Sequence, residues 1–377
     1  MQADRWSSRL RMCPEKNGVV LETAVFRLEG VTKRYGDLVT LDNVSLDVAV
    51  NEYVSFLGPS GSGKTTLLRV IAGFEAPDAG RVFFQGRDIT HLPAHEREIG
   101  FVFQNFALFP HLTVIKNVGF GLAHGKAPLS AAEVDRKARE MIAMVGLSGM
   151  EDRGVDQISG GQRQRVALAR TLAMQPKLVL LDEPLGALDA NLRGRMRNEL
   201  RAIRERLGVT FLHVTGSENE ALAMGDRVVV LDRGRIIQTG TSEGLYDGPA
   251  SPDVAHFLNR FNLFDGDLSA GKFTGSFGTV AAPAARKADR DVYAVRYDRM
   301  RVDARAAQSA GPALKATFVA SEYLGSSIMN FFELPDGKVV EMEHHLSLGA
   351  PEIYEAKQDY VLTWNPDQAI VFGREAR

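Results

Sequence analysis

The chain has 377 residues, of which 45% are hydrophobic and 24% charged, and this length indicates two or three soluble domains. Its formal net charge of -2 argues against a protein that coats nucleic acid, because such proteins usually carry a strong basic excess. The single cysteine, Cys13, excludes a disulfide framework or a cysteine-based zinc site within the chain, and the sequence contains neither a run of roughly 18 apolar residues nor the apolar centre of a secretion signal.

The first 24 residues are polar and show no hydrophobic periodicity, so we interpret residues 1–24 as a disordered tail. Between residues 25 and 262, short apolar runs alternate with helical patterns, which is typical of an α/β domain with a largely parallel sheet. The predicted strands are YVSFL (53–57), IGFVF (99–103), KLVLL (177–181) and TFLHV (210–214). A helix is predicted after Ser130, which forms a capping-box pattern with Glu133; its apolar face carries Val134, Ala138, Met141, Ile142 and Val145.

After Phe264 the composition and the hydrophobic pattern change, and the segments become glycine-rich with alternating polar and apolar residues. Residues 263–377 are therefore predicted to form a small all-β domain. Within FFELPDGKVVEM, the turn residues Pro335, Asp336 and Gly337 separate two strand-like runs, which predicts a hairpin.

The stretch FLGPSGSGKTTLL has the spacing G-x-x-x-x-G-K-T, directly after a predicted strand and before a helical run. Its glycines allow consecutive backbone N–H groups to point inward and bind an anion at a helix N-terminus. Lys64 adds a charge at the β and γ phosphates of a nucleotide, and the Thr65 hydroxyl can bind Mg²⁺. The predicted nucleotide-binding residues of this loop are Gly58, Pro59, Ser60, Gly61, Ser62, Gly63, Lys64, Thr65 and Thr66.

A second motif, KLVLLDEP, places Asp182 at the exposed end of a buried strand. There its carboxylate can hold the coordination shell of Mg²⁺. The neighbouring Glu183 is the candidate general base that orients or deprotonates a water molecule. The alternative is that both acids are simply solvated at the end of a strand. The presence of a phosphate-loop motif in the same chain favours the functional interpretation over this alternative.

The stretch ISGGQRQRVALARTL (158–172) resembles the signature sequence of the ATPase subunits of ABC transporters, and the resemblance covers nearly the whole chain. It implies a P-loop nucleotide-binding domain with a helical subdomain at about residues 105–165. It also implies that the backbone of the signature turn completes the ATP site of a second cassette, so that two chains enclose two ATP molecules. The residues of this turn are Ser159, Gly160, Gly161 and Gln162.

The same resemblance gives roles to three further positions. Tyr35 corresponds to the aromatic residue that stacks on adenine, and Asp189 is expected near the seam between the cassettes. Gln104 corresponds to the glutamine that contacts Mg²⁺ and the attacking water, which makes it both a metal ligand and a catalytic residue. The apolar residues after Gln104 belong either to the core of the helical subdomain or to its contact with a membrane partner.

An arginine-rich helix is predicted in NLRGRMRNELRAIRERL, where Leu192, Met196, Leu200, Ile203 and Leu207 recur at helical spacing. Charges of both signs surround this apolar stripe. We interpret the polar side as a solvated face rather than a nucleic-acid-binding patch.

The C-terminal domain resembles the OB-like TOBE domain of importers for anions, sugars, polyamines and iron. The stretches SEYLGSS (321–327) and LTWNPDQAIVF (362–372) carry this likeness. Tyr297 stands where that family usually has proline, so the entry into the neighbouring strand is expected to differ.

Two neighbouring positions depart from the family pattern. The strand after the catalytic glutamate's strand normally ends in a histidine followed by an aspartate, whereas this chain has Gly216 and Ser217. His213 lies three residues earlier, so on an extended strand it points to the opposite face and lies about 10 Å away. We expect it to pack in the core or to cap a neighbour rather than to replace the histidine.

The sequence therefore predicts an ATP- and Mg²⁺-dependent ATPase subunit that energises an ABC importer. Its expected partners are a second cassette, transmembrane permease subunits and, indirectly, a substrate-binding protein, with no nucleic acid. It is expected in the cytoplasm, peripheral on the inner face of the cell membrane. The alternatives are a regulatory subunit that binds ATP but hydrolyses it weakly or not at all because of Gly216, and a soluble ABC ATPase that acts on nucleic acid.

Overall fold

The computed structural model describes residues 24–125, 127–186, 190–258, 260–302 and 312–374. Residues 1–23 of the predicted tail and Asp189 lie outside the described residues. Ala24 does not belong to the tail, because it opens the first strand and pairs with Ala49.

Two sheets form the first part of the chain, a four-stranded antiparallel sheet in the order β2-β1-β4-β5 and a six-stranded sheet in the order β10-β9-β3-β8-β7-β6. Their strands are β1 (Ala24–Tyr35), β2 (Leu38–Ala49), β3 (Tyr53–Leu57), β4 (Ala79–Phe84), β5 (Arg87–Asp88), β6 (Gly100–Val102), β7 (Leu178–Asp182), β8 (Thr210–Thr215), β9 (Arg227–Asp232) and β10 (Arg235–Gly240). In the larger sheet only β10 runs antiparallel to its neighbour. Every residue of β3, β7 and β8 is buried, which explains their continuous apolar runs. The four predicted strands are confirmed.

Eight helices accompany these sheets in the described part of the chain. They are α1 (Lys64–Ala72), α2 (Val114–His124), α3 (Ala131–Met144), α4 (Gly160–Ala173), α5 (Ala190–Leu207), α6 (Glu218–Met224), α7 (Ser242–Asp247) and α8 (Pro252–Phe257). Helix α1 and the antiparallel sheet pack on one face of the parallel sheet, while α4 and α5 pack on the other. Both faces are thus covered, as a parallel sheet requires.

The predicted helix after Ser130 is confirmed as α3. The Ser130 hydroxyl accepts from the Glu133 amide, and the Glu133 carboxylate accepts from the Ser130 amide, which completes the capping box. Ala138, Ile142 and Val145 are fully buried, and Val134 and Met141 pack against them, so the predicted apolar face lies in the core between α2, α3 and α4.

Helix α5 buries Met196, Leu200 and Ile203, while Leu207 at its end is 37% exposed. The side chain of Leu192 lies outside the described residues. On its polar side Arg204 pairs with Asp226, and Arg201 donates to the carbonyl of Ala223. Arg201 and Arg204 are thus engaged with their own chain, and the interpretation of a solvated face rather than a nucleic-acid-binding patch stays a prediction.

The C-terminal part is confirmed as all-β, with only short 3-10 turns between its strands in the described residues. The strands are β11 (Phe261–Asp265), β12 (Asp267–Ser269), β13 (Lys272–Gly275), β14 (Gly278–Ala281), β15 (Arg286–Ala288), β16 (Val292–Arg296), β17 (Arg301–Val302), β18 (Ala313–Tyr323), β19 (Ser327–Glu333), β20 (Val339–His345), β21 (Asp359–Thr363) and β22 (Ile370–Arg374). The predicted hairpin is β19 paired antiparallel with β20, and Gly337 in its turn has φ 84°. Tyr297 is buried in a 3-10 turn after β16. The predicted domain division between residues 262 and 263 falls inside β11 and stays a prediction.

Candidate nucleotide site

The phosphate loop, residues 58–63, connects β3 to α1 and contains glycines that the local geometry requires. A Cβ atom at Gly63 would lie 2.6 Å from the carbonyl oxygen of Thr40, and its φ of 100° is unfavourable for any residue with a side chain. A Cβ atom at Gly58 would lie 2.1 Å from the carbonyl oxygen of Leu231. The glycines of this motif are therefore fixed by close backbone approach and by backbone conformation.

Lys64 is the first residue of α1, and its ammonium group turns back over the loop. It donates to the carbonyl oxygens of Gly58 at 2.7 Å and Pro59 at 2.8 Å, and it approaches the hydroxyl of Ser62 at 3.4 Å. Burial lowers the pKa of Lys64, although the nearby carboxylates of Glu183 and Asp182 oppose that shift. A partly desolvated cation thus lies at the loop, while Ser60 and Gly61 remain exposed to solvent.

Thr65 and Asp182 meet beside the phosphate loop. The Thr65 hydroxyl donates to a carboxylate oxygen of Asp182 at 3.4 Å. Asp182 ends β7 and is buried; burial and the adjacent charge of Glu183 raise the pKa of its carboxyl group. A hydroxyl and a carboxylate at this position are oxygen donors of the kind that Mg²⁺ prefers, so the residues fit this ion.

Glu183 and Gln104 form a second pair next to the first. The Gln104 amide donates from Nε2 to Oε2 of Glu183 at 2.9 Å. The backbone of Glu183 has φ 45°, a strained conformation of the kind that clusters at functional sites, and its N–H donates to the carbonyl of Val214 at 3.0 Å. Because β6, β7 and β8 run in parallel, the residues that follow these strands meet at one edge of the sheet.

Tyr35 ends β1 and is 45% exposed. Its hydroxyl donates to the carboxylate of Glu75, which also pairs with Arg69 of α1 at 3.5 Å. The ammonium of Lys33 lies 5.4 Å from the centre of the ring. Glu75 was not recognisable from the sequence, because it meets Tyr35 only through the fold; it ties the aromatic ring to the helix that carries Lys64.

The signature turn opens α4 with a second capping box. The Ser159 hydroxyl accepts from the Gln162 amide at 3.3 Å, and the Gln162 side chain accepts from the Ser159 amide at 2.8 Å. Ser159 and Gly160 are exposed, whereas Gly161 is buried. Among the described residues the hydrogen bonds of this turn are local, and none joins it to the phosphate loop of its own chain.

Two family descriptions match this chain: ABC transporter over residues 41–186 and TOBE domain over residues 293–372. The sulfate/thiosulfate import ATP-binding protein of Caulobacter vibrioides is 47% identical over 72% of this chain and 80% of its own length. The spermidine/putrescine import ATP-binding protein of Clostridioides difficile is 48% identical over 64% of this chain and 69% of its own length. The Fe(3+) ions import ATP-binding protein of Escherichia coli is 48% identical over 65% of this chain and 70% of its own length.

The chain belongs to the ATP-binding subunits of ABC importers. Such subunits are ATPases coupled to transport, so this chain binds and hydrolyses ATP to energise an importer, and neither alternative drawn from the sequence is favoured.

Solved structures agree with this assignment. A nucleotide-free ATP-binding cassette from an ABC transporter superposes with a TM-score of 0.57 at 30% identity, covering 62% of this chain and 98% of its own. A dimeric cassette in a post-hydrolysis state with ADP and Pi gives a TM-score of 0.52 at 34% identity. The match covers 58% of this chain and 98% of that cassette. In the described ranges of this importer subunit, no helix combines the length and the apolar character needed to cross a membrane.

The turn between β8 and α6 of this importer subunit, residues 215–217, carries the departure from the family pattern. Among the described residues, no atom would lie within 4 Å of a Cβ atom at the exposed Gly216, and its φ lies outside the left-handed region. Ser217 caps α6 by accepting from the Glu220 amide at 3.3 Å, and the Thr215 hydroxyl donates to the buried Glu220 carboxylate at 2.9 Å. The hydrogen bonds of the turn are in place, but residue 216 has no side chain where the family pattern has histidine, and residue 217 is serine where that pattern has aspartate.

His213 does not replace that side chain. It is fully buried in β8, with its ring centre 5.9 Å from that of Tyr53, and neither ring nitrogen has a hydrogen-bond partner among the described residues. Burial lowers its pKa to about 3, so the ring is neutral at physiological pH. The expectation that His213 packs in the core is confirmed.

Proposed function

We propose that this importer subunit hydrolyses ATP with its own phosphate loop and carboxylates, in a site completed by the signature turn of a second cassette. The observation that carries the proposal is the convergence of Lys64, Thr65, Asp182, Glu183 and Gln104 at one edge of the parallel sheet. These residues come from three separate segments of the sequence, and each has the chemistry that its position in a phosphoryl-transfer site requires.

The phosphate loop and Lys64 bind the β and γ phosphates, and Thr66 follows Thr65 in the first turn of α1. Tyr35, oriented by Glu75, provides the surface on which adenine stacks. Thr65 and Asp182 hold Mg²⁺, with Gln104 as a further oxygen donor. When bound, this ion neutralises charge that develops on the phosphates.

Glu183 is the general base. Its hydrogen bond to Gln104 fixes one carboxylate oxygen, so that the carboxylate has a defined direction towards an attacking water molecule. Because Gln104 begins the segment that leads into α2, the pair also joins the base to the helical subdomain.

The signature turn is assigned to the site of the partner cassette. Ser159 and Gly160 are exposed at the N-terminus of α4, where backbone N–H groups and the helix dipole favour a phosphate. Local bonds within the turn hold it rigid. Asp189, outside the described residues, is proposed to lie near the seam between the two chains.

Permease subunits are the proposed membrane partners, and they place this protein on the cytoplasmic face of the cell membrane. A substrate-binding protein is linked to it only through them. Three relatives of almost equal identity are named as import ATP-binding proteins for sulfate/thiosulfate, spermidine/putrescine and Fe(3+) ions. Since the shared cassette does not separate these solutes, we assign recognition of the imported compound to the partner proteins.

The absence of a side chain at residue 216 lowers the rate of hydrolysis more than it lowers ATP affinity. Losing one preorganised donor to developing charge typically costs ~10² to 10³ in rate. The phosphate loop, Lys64 and Tyr35 do not depend on that donor, and ATP binding is retained.

Dimerisation of a hydrolysis-deficient variant tests the shared site. We expect Glu183→Gln to form dimers with saturating ATP and Mg²⁺ in sedimentation velocity experiments, because binding survives while hydrolysis stops. The control is the double variant Glu183→Gln with Lys64→Ala, which should remain monomeric because it lacks the main phosphate contact. A Glu183→Gln protein that binds ATP and stays monomeric, with or without its permease, contradicts the shared site.

A further inference from the structure

The segment that follows Gln104 has an unusual backbone. Phe106 and Ala107 are consecutive residues with positive φ angles, 64° and 44°, and both carry a Cβ atom. This conformation is disfavoured for residues with side chains and persists only where surrounding groups enforce it. Two local hydrogen bonds help to hold this conformation. The Phe106 N–H donates to the Phe103 carbonyl, and the Ala107 N–H donates to the Asn105 carbonyl. The carbonyl groups of Phe106 and Ala107 are aligned so that one planar donor can bind both.

Arg170 of α4 is that donor. Its Nη1 donates to the carbonyl oxygen of Ala107 at 2.7 Å, and its Nη2 donates to that of Phe106 at 3.0 Å. The guanidinium carbon also lies 5.6 Å from the centre of the Phe109 ring. A lysine could not reproduce this contact, because its ammonium group lacks the planar fork.

Burial strengthens the contact. The guanidinium is partly desolvated, which lowers the pKa of Arg170, yet it stays charged because an arginine side chain is not deprotonated in proteins. In such surroundings a charge-assisted hydrogen bond is stronger than in water. Arg170 therefore stabilises the strained turn through two hydrogen bonds to its carbonyl groups.

We infer that Arg170 is a positioning residue for ATP hydrolysis: it holds the strained turn after Gln104 so that the Gln104 amide stays bonded to Glu183. The turn begins two residues after Gln104, and the bond from Gln104 to Glu183 measures 2.9 Å. Arg170 also lies on the helix whose first turn is the signature, so α4 joins the two functional segments of the subdomain. The inference rests on the roles proposed above for Gln104 and Glu183.

The experiment measures steady-state ATP hydrolysis and ATP affinity of the full chain, with Glu183→Gln as the inactive reference. We expect Arg170→Met to lower kcat about tenfold or more while changing the Kd for ATP less than about twofold, since misplacement of a catalytic group mainly affects the chemical step. The matched control is Arg165→Met, on the same helix, which removes a partly buried arginine paired with Glu199 at 2.7 Å and not bonded to the strained turn. This control should retain kcat within about twofold, even where both variants lower the melting temperature.

Two double variants separate positioning from a general loss of stability. If Arg170 acts through Gln104, adding Arg170→Met to Gln104→Ala lowers kcat no further than Gln104→Ala alone. Ala107→Gly should restore part of the kcat lost in Arg170→Met, because glycine adopts positive φ without strain.

The inference would be overturned if Arg170→Met and Gln104→Ala lowered kcat independently, so that their effects multiplied in the double variant. A normal kcat in Arg170→Met would also overturn it. Either result would leave the proposed function intact. A Gln104→Ala variant with normal kcat would instead refute the role of Gln104, and the inference with it.

Discussion

The phosphate loop and the β8–α6 turn are both glycine-containing connections from the end of a parallel strand to a helix N-terminus, but their glycines have different causes. At Gly58 and Gly63 neighbouring carbonyl oxygens leave no room for a Cβ atom, and Gly63 also has a positive φ. At Gly216 the described part of the chain leaves open space for a Cβ atom, and φ is not positive. Geometry therefore requires glycine at residues 58 and 63, whereas it leaves room for a Cβ atom at residue 216. The consequence is that binding of phosphate is structurally fixed, whereas the contribution of residue 216 to hydrolysis can change.

The largest expected effect is on ATP affinity. Lys64→Ala removes the desolvated cation of the phosphate loop, and we expect affinity to fall about a hundredfold, ~3 kcal/mol, because hydrogen bonds to charged groups are the strong ones. Fluorescence titration with a nucleotide analogue measures this loss. Circular dichroism must first establish that the variant is folded. A folded variant with unchanged affinity would show that the phosphate loop does not bind the nucleotide.

The next effect is on stability. Gly63→Ala brings a Cβ atom into contact with the Thr40 carbonyl and imposes an unfavourable φ, so the free energy of unfolding should fall by about 2–3 kcal/mol in urea titrations. Gly61→Ala is the matched control, because Gly61 also has a positive φ of 80° but open space around it. It should lose only about 1 kcal/mol. Equal losses would mean that close approach to Thr40 has no cost.

The smallest effect is a gain. Gly216→His should raise ATP turnover at least about tenfold, about 1.4 kcal/mol, with little change in ATP affinity, because a donor at this position acts mainly on charge in the transition state. Steady-state hydrolysis with the permease present measures it, with Glu183→Gln as the inactive control. Gly216→Ala, which adds only a Cβ atom, should leave turnover unchanged and stabilise the fold by about 0.5 kcal/mol. If Gly216→His does not raise ATP turnover, another group already stabilises the charge in the transition state, or the site mainly binds ATP rather than hydrolysing it.

Much of the fold was predictable because burial leaves a direct trace in the sequence. The strands β3, β7 and β8 are buried on both sides and read as unbroken apolar runs, and α3 is marked by both its capping box and its apolar face. The phosphate loop and Asp182 were predictable for a related reason, since their motifs have fixed local spacing.

Contacts between distant residues left no such trace. Glu75 contacts Tyr35, 40 residues away in the sequence, and Arg170 contacts Phe106, 64 residues away. In the sequence alone, Glu75 and Arg170 each resemble an ordinary charged surface residue. The conformation at Gly216 was also not predictable, because glycine adopts positive and negative φ about equally well. Only the folded backbone distinguishes a glycine that is required from one that is merely tolerated.

The buried imidazole of His213 gives the folding free energy of this chain a dependence on pH. Its pKa is about 3 in the folded chain and near the ordinary 6.5 when the chain unfolds. Between these values the unfolded chain binds a proton that the folded chain does not, so the free energy of unfolding falls with decreasing pH by up to roughly 1.4 kcal/mol per pH unit. Replacing His213 with phenylalanine should flatten this dependence in unfolding experiments between about pH 6.5 and pH 4. The strand that leads to the hydrolytic site therefore also carries a group that opposes folding whenever the surroundings become acidic.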